Sequence, residues 1–347
     1  LQFIENSGDD DSNFQELIEI INYQKLSENK EDLTLFFRLL VQISNNHHRF
    51  PNFLKKIERI LQYFRDLIKQ TFSNSEIFEI FQSNKLIMLF LIQQQIISID
   101  ESTSKEIFYK SREKNTKYFF YFYPEVKTFL NDQEFKDLKQ DISEEYIELI
   151  SNNEYKRQIG ENESYICELI RNDSIELFVS HLTQTNLSLS STIKPSIFET
   201  NQFLERKEPS LIEYAAFYGS IQIFQYLRLN NVEMKPSLWI YAIHSQNADL
   251  IHLLEENRVN PPNDTFESCF YEAVKCHHND FANYFKEVKM NDEIIDYKNS
   301  FKYCNYQQIP CQLRNNSIFY YLCSYNYPTL VELYLKSREE NTIEVSI

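Results

Sequence analysis

A repeated pattern of serine, apolar and small residues constrains this chain more than any other feature. The pattern is clearest in 210–234 (SLIEYAAFYGSIQIFQYLRLNNVEM), where Ser210 and Glu213 form a capping-box signature and Gly219 can end a helix. Apolar residues lie at helical spacing on both sides of Gly219. The stretch therefore predicts two short helices joined by a tight turn.

The same frame recurs five times between residues 164 and 336. Each repeat begins at a serine, and the five serines are Ser164, Ser210, Ser237, Ser268 and Ser317. Two residues later come Ile166, Ile212, Trp239, Phe270 and Phe319. Five residues later come Leu169, Ala215, Ala242, Ala273 and Leu322. Thirteen residues later come Leu177, Ile223, Leu250, Phe281 and Leu330. The frame predicts a hydroxyl cap and three core positions in every repeat.

All alanines of the chain lie in the three middle repeats, at positions 215, 216, 242, 248, 273 and 282. Small residues are needed where two helices approach closely, so we expect the helix pairs to stack against one another. The predicted fold class is all-α: a helical N-terminal region followed by a helix-turn-helix solenoid.

The stretch 210–234 resembles, without a gap, the ankyrin repeat. Ser210 matches the threonine of the ankyrin Thr-Pro-Leu-His cap, and Ala215, Ala216 and Gly219 match its Ala-Ala and Gly. The longer run 185–227, with PSLWIYAIH after it, resembles a large group of ankyrin-like proteins of uncharacterised function that are abundant in certain unicellular eukaryotes. The resemblance implies a curved solenoid that binds a protein partner in its groove.

The chain departs from the ankyrin pattern in its spacing. Ankyrin repeats are about 33 residues long, but the five serines are 46, 27, 31 and 49 residues apart. The 27-residue step leaves little room for a β-hairpin, and the long steps carry extra segments at Leu187–Glu208 and Asp292–Asn316. The cap histidine is replaced by Glu213, Ile240, Tyr271 and Tyr320. A regular row of β-hairpins is not expected; whether any hairpin forms stays open.

The N-terminal region, 14–151, has the apolar spacing of helices. The predicted helices are Phe14–Tyr23, Leu33–Ile43, Pro51–Gln70, Ser73–Phe81, Asn84–Ile99, Ser104–Lys114, Lys127–Leu138 and Ser143–Ser151. Tyr118–Tyr123 (YFFYFY) has strand propensity, but the helical context favours a buried helix. The polar stretch 152–163 predicts a boundary, unless the region is an irregular continuation of the solenoid. Residues 1–13 and 337–347 are predicted to be a disordered lead and a loose tail.

Composition and charge narrow the function classes. The net charge of −16 repels phosphate backbones and anionic membranes, so we expect no nucleic acid partner. Leu86–Ile92, the longest apolar run, is too short to span a membrane.

Only 3 glycines in 347 residues argue against a phosphate-loop or sheet-rich enzyme. Leu1–Asp11 does not resemble a signal peptide, and the chain does not begin with methionine, so the true N-terminus can lie upstream. We expect an intracellular, cytoplasmic protein with reduced cysteines.

The sequence predicts no catalytic residue, metal site or cofactor. Cys276-His277-His278 with Cys304 or Cys311 could supply soft ligands, but no Cys-x-x-Cys or His-x3-5-His spacing occurs. His277 is expected at a solvated turn, and nothing in the sequence supplies a third group to orient a cysteine–histidine pair. The acidic clusters Asp9–Asp11 and Ser143–Glu145 lack the calcium-loop pattern. Trp239 is predicted to be a core residue.

The candidate binding residues lie seven and eight positions after each serine. The residue type varies at these two positions from repeat to repeat, whereas the core positions keep the same type of residue. The candidates are Phe217, Tyr218, His244, Ser245, Lys275, Cys276, Ser324 and Tyr325. In ankyrin-like arrays this end of the first helix faces the concave groove, so we expect Phe217, Tyr218 and Tyr325 to be exposed there and to contact a protein partner. Unconstrained drift would produce the same variation.

We expect a non-catalytic protein–protein interaction scaffold. Two alternatives remain open: an enzyme with a site in the N-terminal half, and a self-assembling or targeting module of a longer protein. The sequence identifies neither the partner nor the oligomeric state.

Overall fold

The computed structural model describes residues 3, 11–46, 53–114, 116–131, 154–290, 295–309 and 316–340. Over these residues the chain is helical and forms no strand beyond an isolated antiparallel bridge between Thr192 and Ser210. The all-α prediction is confirmed. The chain divides into two compact regions: the first contains 1–45, 49–168 and 193–209, and the second contains 46–48, 169–192 and 210–347.

The first region is built from short helices. These are α1 Asp11–Tyr23, α2 Lys30–Asn46, α3 Phe53–Tyr63, α4 Arg65–Thr71, α5 Asn74–Phe81, α6 Lys85–Gln93, α7 Glu101–Lys114, α8 Thr116–Tyr121, α9 Tyr123–Val126 and α10 Glu154–Ile159. The predicted helix 51–70 is divided at Phe64. The predicted helix 84–99 ends at Gln93, because Gln95 adopts a left-handed conformation with φ 54°. Within the predicted helix 127–138, Lys127–Phe129 forms a 3₁₀ turn that ends at Leu130, whose backbone is extended. The remainder of that predicted helix beyond 131, and the predicted helix 143–151, lie outside the described residues.

The aromatic stretch 118–123 is helical, not a strand. Helices α8 and α9 meet at Phe122, and Pro124 lies in the first turn of α9, where its missing N–H costs no helical hydrogen bond. Phe119, Phe120 and Phe122 are buried in the core of the first region. The prediction of a buried helix is confirmed.

The second region contains the predicted helix pairs. Its helices are α11 Tyr165–Arg171, α12 Ile175–Thr185, α13 Leu211–Tyr218, α14 Ile221–Leu229, α15 Leu238–His244, α16 Ala248–Glu256, α17 Glu267–Lys275, α18 Asn279–Tyr284, α19 Lys298–Lys302, α20 Asn316–Ser324 and α21 Pro328–Glu340. Helix α11 begins at the end of the first region, and a π-helical segment, Phe285–Lys289, follows α18. Each of the five predicted repeats forms two helices.

All five repeats use the same turn between their two helices. The residue nine positions after the serine has a left-handed backbone: Asp173, Gly219, Gln246, His277 and Asn326. In each repeat its N–H bonds to the carbonyl three residues earlier, as between Gly219 N and Ala216 O at 3.3 Å. In the repeats that begin at Ser164, Ser210, Ser268 and Ser317, the next N–H reaches back five residues, as between Ser220 N and Ala215 O at 2.9 Å. These two bonds are the Schellman motif that ends a helix. In the repeat that begins at Ser237, the corresponding Asn247 N donates to Ser245 Oγ at 3.1 Å instead.

The long step between Ser268 and Ser317 contains one further repeat. Helix α19 is followed by the left-handed residue Cys304, with φ 54°, and Asn305 N bonds to Ser300 O at 2.9 Å. Buried Ser300 takes the place that alanine has in the middle repeats. The segment predicted as an insertion, 292–316, is therefore partly a repeat. The sequence pattern missed it because Ile295 replaces the serine and α19 has only 5 residues.

The capping prediction is confirmed at Ser210 and wrong at three other repeats. Ser210 and Glu213 form the predicted capping box. Ser237 has helical backbone angles and makes no cap bond; its hydroxyl donates to Glu213 Oε1 at 2.5 Å instead. Ser268 and Ser317 lie inside α17 and α20, which begin one residue before them. Their position in the frame reflects repeat register, not capping.

The core positions are largely as predicted. The residues two and five positions after the serines are buried, except for half-buried Phe319, and Trp239 is a core residue with its indole N–H bonded to Val259 O at 2.9 Å. The prediction is wrong at Leu177, which is 55% exposed, while its neighbour Phe178 is fully buried. At the same position of the other repeats, Ile223 and Leu250 are buried, and Phe281 and Leu330 are half-buried.

The first helices of consecutive repeats lie side by side: α13 packs on α15, α15 on α17, α17 on α19 and α19 on α20. At four of the five junctions between repeats, a side chain ten positions into a repeat bonds to a carbonyl six positions into the repeat before it. The bonded pairs are Ser220 with Ile170 O, His278 with Ile243 O, Asn305 with Val274 O and Tyr327 with Phe301 O. These bonds set the register between neighbouring repeats.

Among the described residues, none of the helices has both the length and the apolar character needed to cross a membrane.

Candidate functional site

The candidate binding residues lie at the C-terminal ends of the first helices, and three of them are buried: Phe217, His244 and Cys276. Phe217 is 2% exposed and His244 is 3% exposed, and their ring centroids are 4.9 Å apart. The expectation that Phe217 is exposed in a groove is wrong. Because α13 and α15 lie side by side, the side chain seven positions into a repeat enters the contact between them.

Five candidate residues keep some exposure. Ser245 is half-buried, but its hydroxyl serves the local turn by donating to Ala242 O at 2.7 Å and accepting from Asn247 N at 3.1 Å. The other four have side chains that can reach a partner: Tyr218, Lys275, Ser324 and Tyr325. The column at the C-terminal ends of the first helices therefore remains partly available for binding.

The further repeat adds two residues to this column that the sequence pattern did not identify. Lys302 and Tyr303 lie seven and eight positions into that repeat, with the Lys302 ammonium 5.0 Å from the centre of the Tyr303 ring. A similar contact occurs at Tyr218, where the guanidinium of Arg171 lies 6.0 Å from the ring centre. Cation–π contacts of this kind hold a tyrosine ring in place at a surface.

His244, Glu272, Lys275 and Cys276 form a polar cluster, called the 244–276 cluster below. His244 Nε2 lies 2.9 Å from Glu272 Oε1, and Lys275 Nζ donates to the same oxygen at 2.8 Å. Cys276 Sγ is 3.6 Å from His244 Nδ1. Glu272 and Cys276 are one turn apart on one face of α17, and His244 ends the neighbouring helix α15.

The charges of the cluster follow from burial and from its internal contacts. Burial raises the pKa of Glu272, but hydrogen bonds and charge from His244 and Lys275 outweigh it and hold that pKa at about 2. Burial lowers the pKa of Lys275, but the adjacent Glu272 carboxylate raises it by a larger amount. The pKa of Lys275 is therefore above its usual value. Burial raises the pKa of the Cys276 thiol well above its usual value. At neutral pH the cluster holds a carboxylate, an ammonium and a neutral thiol.

Glu272 supplies the third group that the sequence did not reveal beside a cysteine–histidine pair. A cysteine nucleophile needs an accessible thiolate, whereas Cys276 is 0% exposed and its pKa is raised. The geometry therefore does not support covalent catalysis. Thiol, imidazole and carboxylate are also metal ligands, and the three donor atoms lie within 4.8 Å of one another. His244 is seven positions into its repeat, and Glu272 and Cys276 are four and eight positions into the next one. Aligning neighbouring repeats side by side would therefore have identified the cluster from the sequence.

The adjacent residues His277 and His278 do not join this cluster. His277 occupies the turn with φ 58°, as the frame predicts, but both rings are buried, so the expected solvated turn is wrong. His277 Nε2 lies 2.8 Å from Tyr303 O, and His278 Nδ1 lies 2.7 Å from Ile243 O. Both rings bond carbonyls of neighbouring repeats.

The remaining sequence candidates are Cys304, Cys311 and the two acidic clusters. Cys304 Sγ accepts a hydrogen bond from Tyr327 OH at 3.1 Å, away from the 244–276 cluster residues. Cys311 and the acidic cluster Ser143–Glu145 lie outside the described residues. Of the acidic cluster at 9–11, only Asp11 is described, and it pairs with Arg59 at 2.5 Å.

Charged side chains are also buried in the first region, which contains the N-terminal half and so the alternative enzyme site. Lys85 forms an ion pair with Glu205 and donates to Glu199 O at 3.3 Å. Arg157 Nη2 lies 2.8 Å from both carboxylate oxygens of Glu125. Lys85 and Arg157 side chains are 5% and 4% exposed. Because each charge has an opposite partner and little exposure, these pairs fit a structural role better than substrate binding.

Comparison of the chain with protein-family models, curated proteins and solved structures finds no match. The resemblance to ankyrin-like proteins therefore stays a prediction from the sequence.

Proposed function

We propose that the second region is an ankyrin-like scaffold that binds a protein partner along the C-terminal ends of its first helices. The observation that carries the proposal is the recurrence of one inter-helix turn in consecutive repeats. Because the turn and the side-by-side packing recur, positions seven and eight of each repeat come to the same place on neighbouring helices. In this array the core positions keep their residue type, whereas positions seven and eight vary from repeat to repeat. Repeat proteins with extended binding surfaces typically show this pattern.

Three tyrosines supply the contact area: Tyr218, Tyr303 and Tyr325 are all half-buried. Tyrosine buries a large ring at low entropy cost and keeps a hydroxyl for a hydrogen bond, which is why it is frequent among residues that dominate interface energy. Tyr218 contacts the Arg171 guanidinium and the Tyr214 ring, whose centre is 4.8 Å from its own. Its position is therefore set before a partner binds.

The cysteines fit a reducing, intracellular location, which is part of this proposal. The described cysteines form no disulfide, and Cys167, Cys269 and Cys276 are buried. Buried free cysteines behave as small hydrophobic residues.

The proposal is tested by affinity capture from native lysate with a Tyr218→Ser/Tyr325→Ser double variant. The matched control is Tyr155→Ser, which changes a 74% exposed tyrosine in the first region. We expect a partner to be retained by the wild type and by the control and lost by the double variant. Retention by all three proteins, or capture of no partner, would contradict the proposal. Phe217 is left unchanged because replacing a buried ring would test folding instead of binding.

A further inference from the structure

The 244–276 cluster brings together three kinds of metal donor from two neighbouring helices. Donor atoms of His244, Glu272 and Cys276 lie within 4.8 Å of one another. The separations are 2.9 Å between His244 Nε2 and Glu272 Oε1, and 3.6–4.0 Å between Cys276 Sγ and the two imidazole nitrogens. Metal–ligand bonds of about 2.0–2.3 Å place tetrahedral ligand atoms roughly 3.3–3.8 Å apart. Small side-chain rotations would therefore bring the three donors to one ion.

The backbone already holds these donors in position. Glu272 and Cys276 are one helical turn apart on α17, so both side chains point to the same neighbour. His244 ends α15 and packs against the Phe217 ring, which restricts its imidazole. Preorganised ligands bind an ion without ordering a loop first.

We propose that His244, Glu272 and Cys276 bind a divalent transition-metal ion, with Zn²⁺ as the first candidate. A thiolate and an imidazole favour ions of this class over Mg²⁺ and Ca²⁺, which prefer oxygen ligands. On binding, the Cys276 S–H loses its proton to solvent and the sulfur forms the metal bond. Three protein ligands leave a fourth position for water.

Lys275 competes with the ion. Its ammonium donates to Glu272 Oε1 at 2.8 Å, the carboxylate that the metal would use. The Lys275 side chain is 24% exposed and that of Glu272 is 17% exposed, so this side of the cluster has partial contact with solvent. The lysine can rotate into water as the ion enters. Its positive charge opposes a second cation nearby, so removing that charge should tighten metal binding.

The test uses the full chain after treatment with a chelator. Equilibrium dialysis against Zn²⁺ measures stoichiometry and affinity, and Co²⁺ in place of Zn²⁺ reports thiolate coordination by its charge-transfer absorption. We expect one ion per chain and a thiolate–Co²⁺ band in the wild type. A wild type that binds no ion, or binds Co²⁺ without the thiolate band, would overturn the proposal without recourse to any variant.

Two variants and a matched control assign the ligands. Cys276→Ala should weaken Zn²⁺ binding at least about tenfold, while Cys269→Ala, equally buried two turns earlier on α17, should leave it unchanged. Lys275→Gln should bind Zn²⁺ more tightly than the wild type. Equal affinity of the Cys276→Ala and wild-type proteins, or weaker binding by Lys275→Gln, would overturn the assignment. The inference is independent of the proposed partner binding, because its readout needs no partner.

Discussion

The residue nine positions into each repeat has to adopt a left-handed backbone, and in only one of the five predicted repeats is it glycine. The others are Asp173, Gln246, His277 and Asn326. A left-handed conformation costs a residue with a Cβ atom roughly 1–2 kcal/mol, least for asparagine and aspartate. The repeats tolerate this cost because the Schellman bonds and the packing of both helices depend on the turn.

Gly219→Ala is expected to lower the free energy of unfolding by about 1 kcal/mol. The cause is conformational, since a Cβ atom at Gly219 would meet Ser245 Cβ at 3.4 Å, an ordinary contact distance, while φ is 73°. Urea denaturation measures the change. Gly219→Asn is the control, because asparagine tolerates this conformation better. An alanine variant as stable as the asparagine variant would contradict the explanation.

At the scale of the single helix, α5 has a complete capping box. Ser73 accepts from Glu76 N, and the Glu76 carboxylate accepts from Ser73 N and from Lys30 Nζ. The hydrogen bond from Lys30, followed by those from Ser73, lowers the pKa of Glu76 from 4.5 to about 2. A carboxyl group with a lowered pKa stabilises the fold above its unfolded-state pKa and loses that contribution as the pH falls towards its folded-state pKa.

We therefore expect Glu76→Gln to destabilise the protein at pH 7, with a difference that shrinks between about pH 4.5 and pH 2. Denaturant unfolding of both proteins across this pH range measures the difference. Because Glu76 is exposed, the experiment is best done at low salt. A difference that stays constant from pH 7 to pH 2 would exclude the ionised carboxylate as its source.

At the contact between helices, the alanines decide how closely the repeats approach. Ala242 is 0% exposed and lies on α15 between α13 and α17. Ala242→Phe is expected to destabilise the protein by about 1–3 kcal/mol through overpacking. Ala248→Phe is the control, because Ala248 is exposed at the start of α16. Thermal or urea unfolding that shows equal effects for the two variants would contradict the helix-contact role of Ala242.

At the scale of the second region, consecutive repeats are joined by bonds from a side chain of one repeat to the backbone of the repeat before. Asn305 is an example: it is 1% exposed, and its Nδ2 donates to Val274 O at 2.9 Å. Asn305→Ala leaves that carbonyl without this donor, at a cost of about 1–3 kcal/mol. In a repeat array each repeat stabilises its neighbours most strongly.

Hydrogen exchange is the appropriate measurement for Asn305→Ala. We expect the largest loss of amide protection in α17, α19 and α20, with progressively smaller changes in α15 and α13. Ser245→Ala serves as a control, because its hydroxyl bonds within its own turn. Protection lost equally in all repeats would contradict nearest-neighbour coupling.

The sequence by itself determined the helix pairs, the turn at Gly219, the buried alanines and the core role of Trp239. These features depend on local spacing and on residue size, and both can be read along the chain. The repeat that begins at Ile295 could not be read this way, because its helix is short and its serine is replaced.

Only the tertiary structure decided which varied residues remain exposed and which of them meet. Phe217 and His244 occupy positions that the sequence predicts to be a binding surface, yet the packing of α13 against α15 buries both. Glu272 and Cys276 meet His244 because α17 lies beside α15 at one particular register. Local spacing places a side chain on a face of its own helix. Contacts between helices depend instead on the register of one helix against the next. That register is set only when the repeats pack, by bonds such as the one from His278 to Ile243 O.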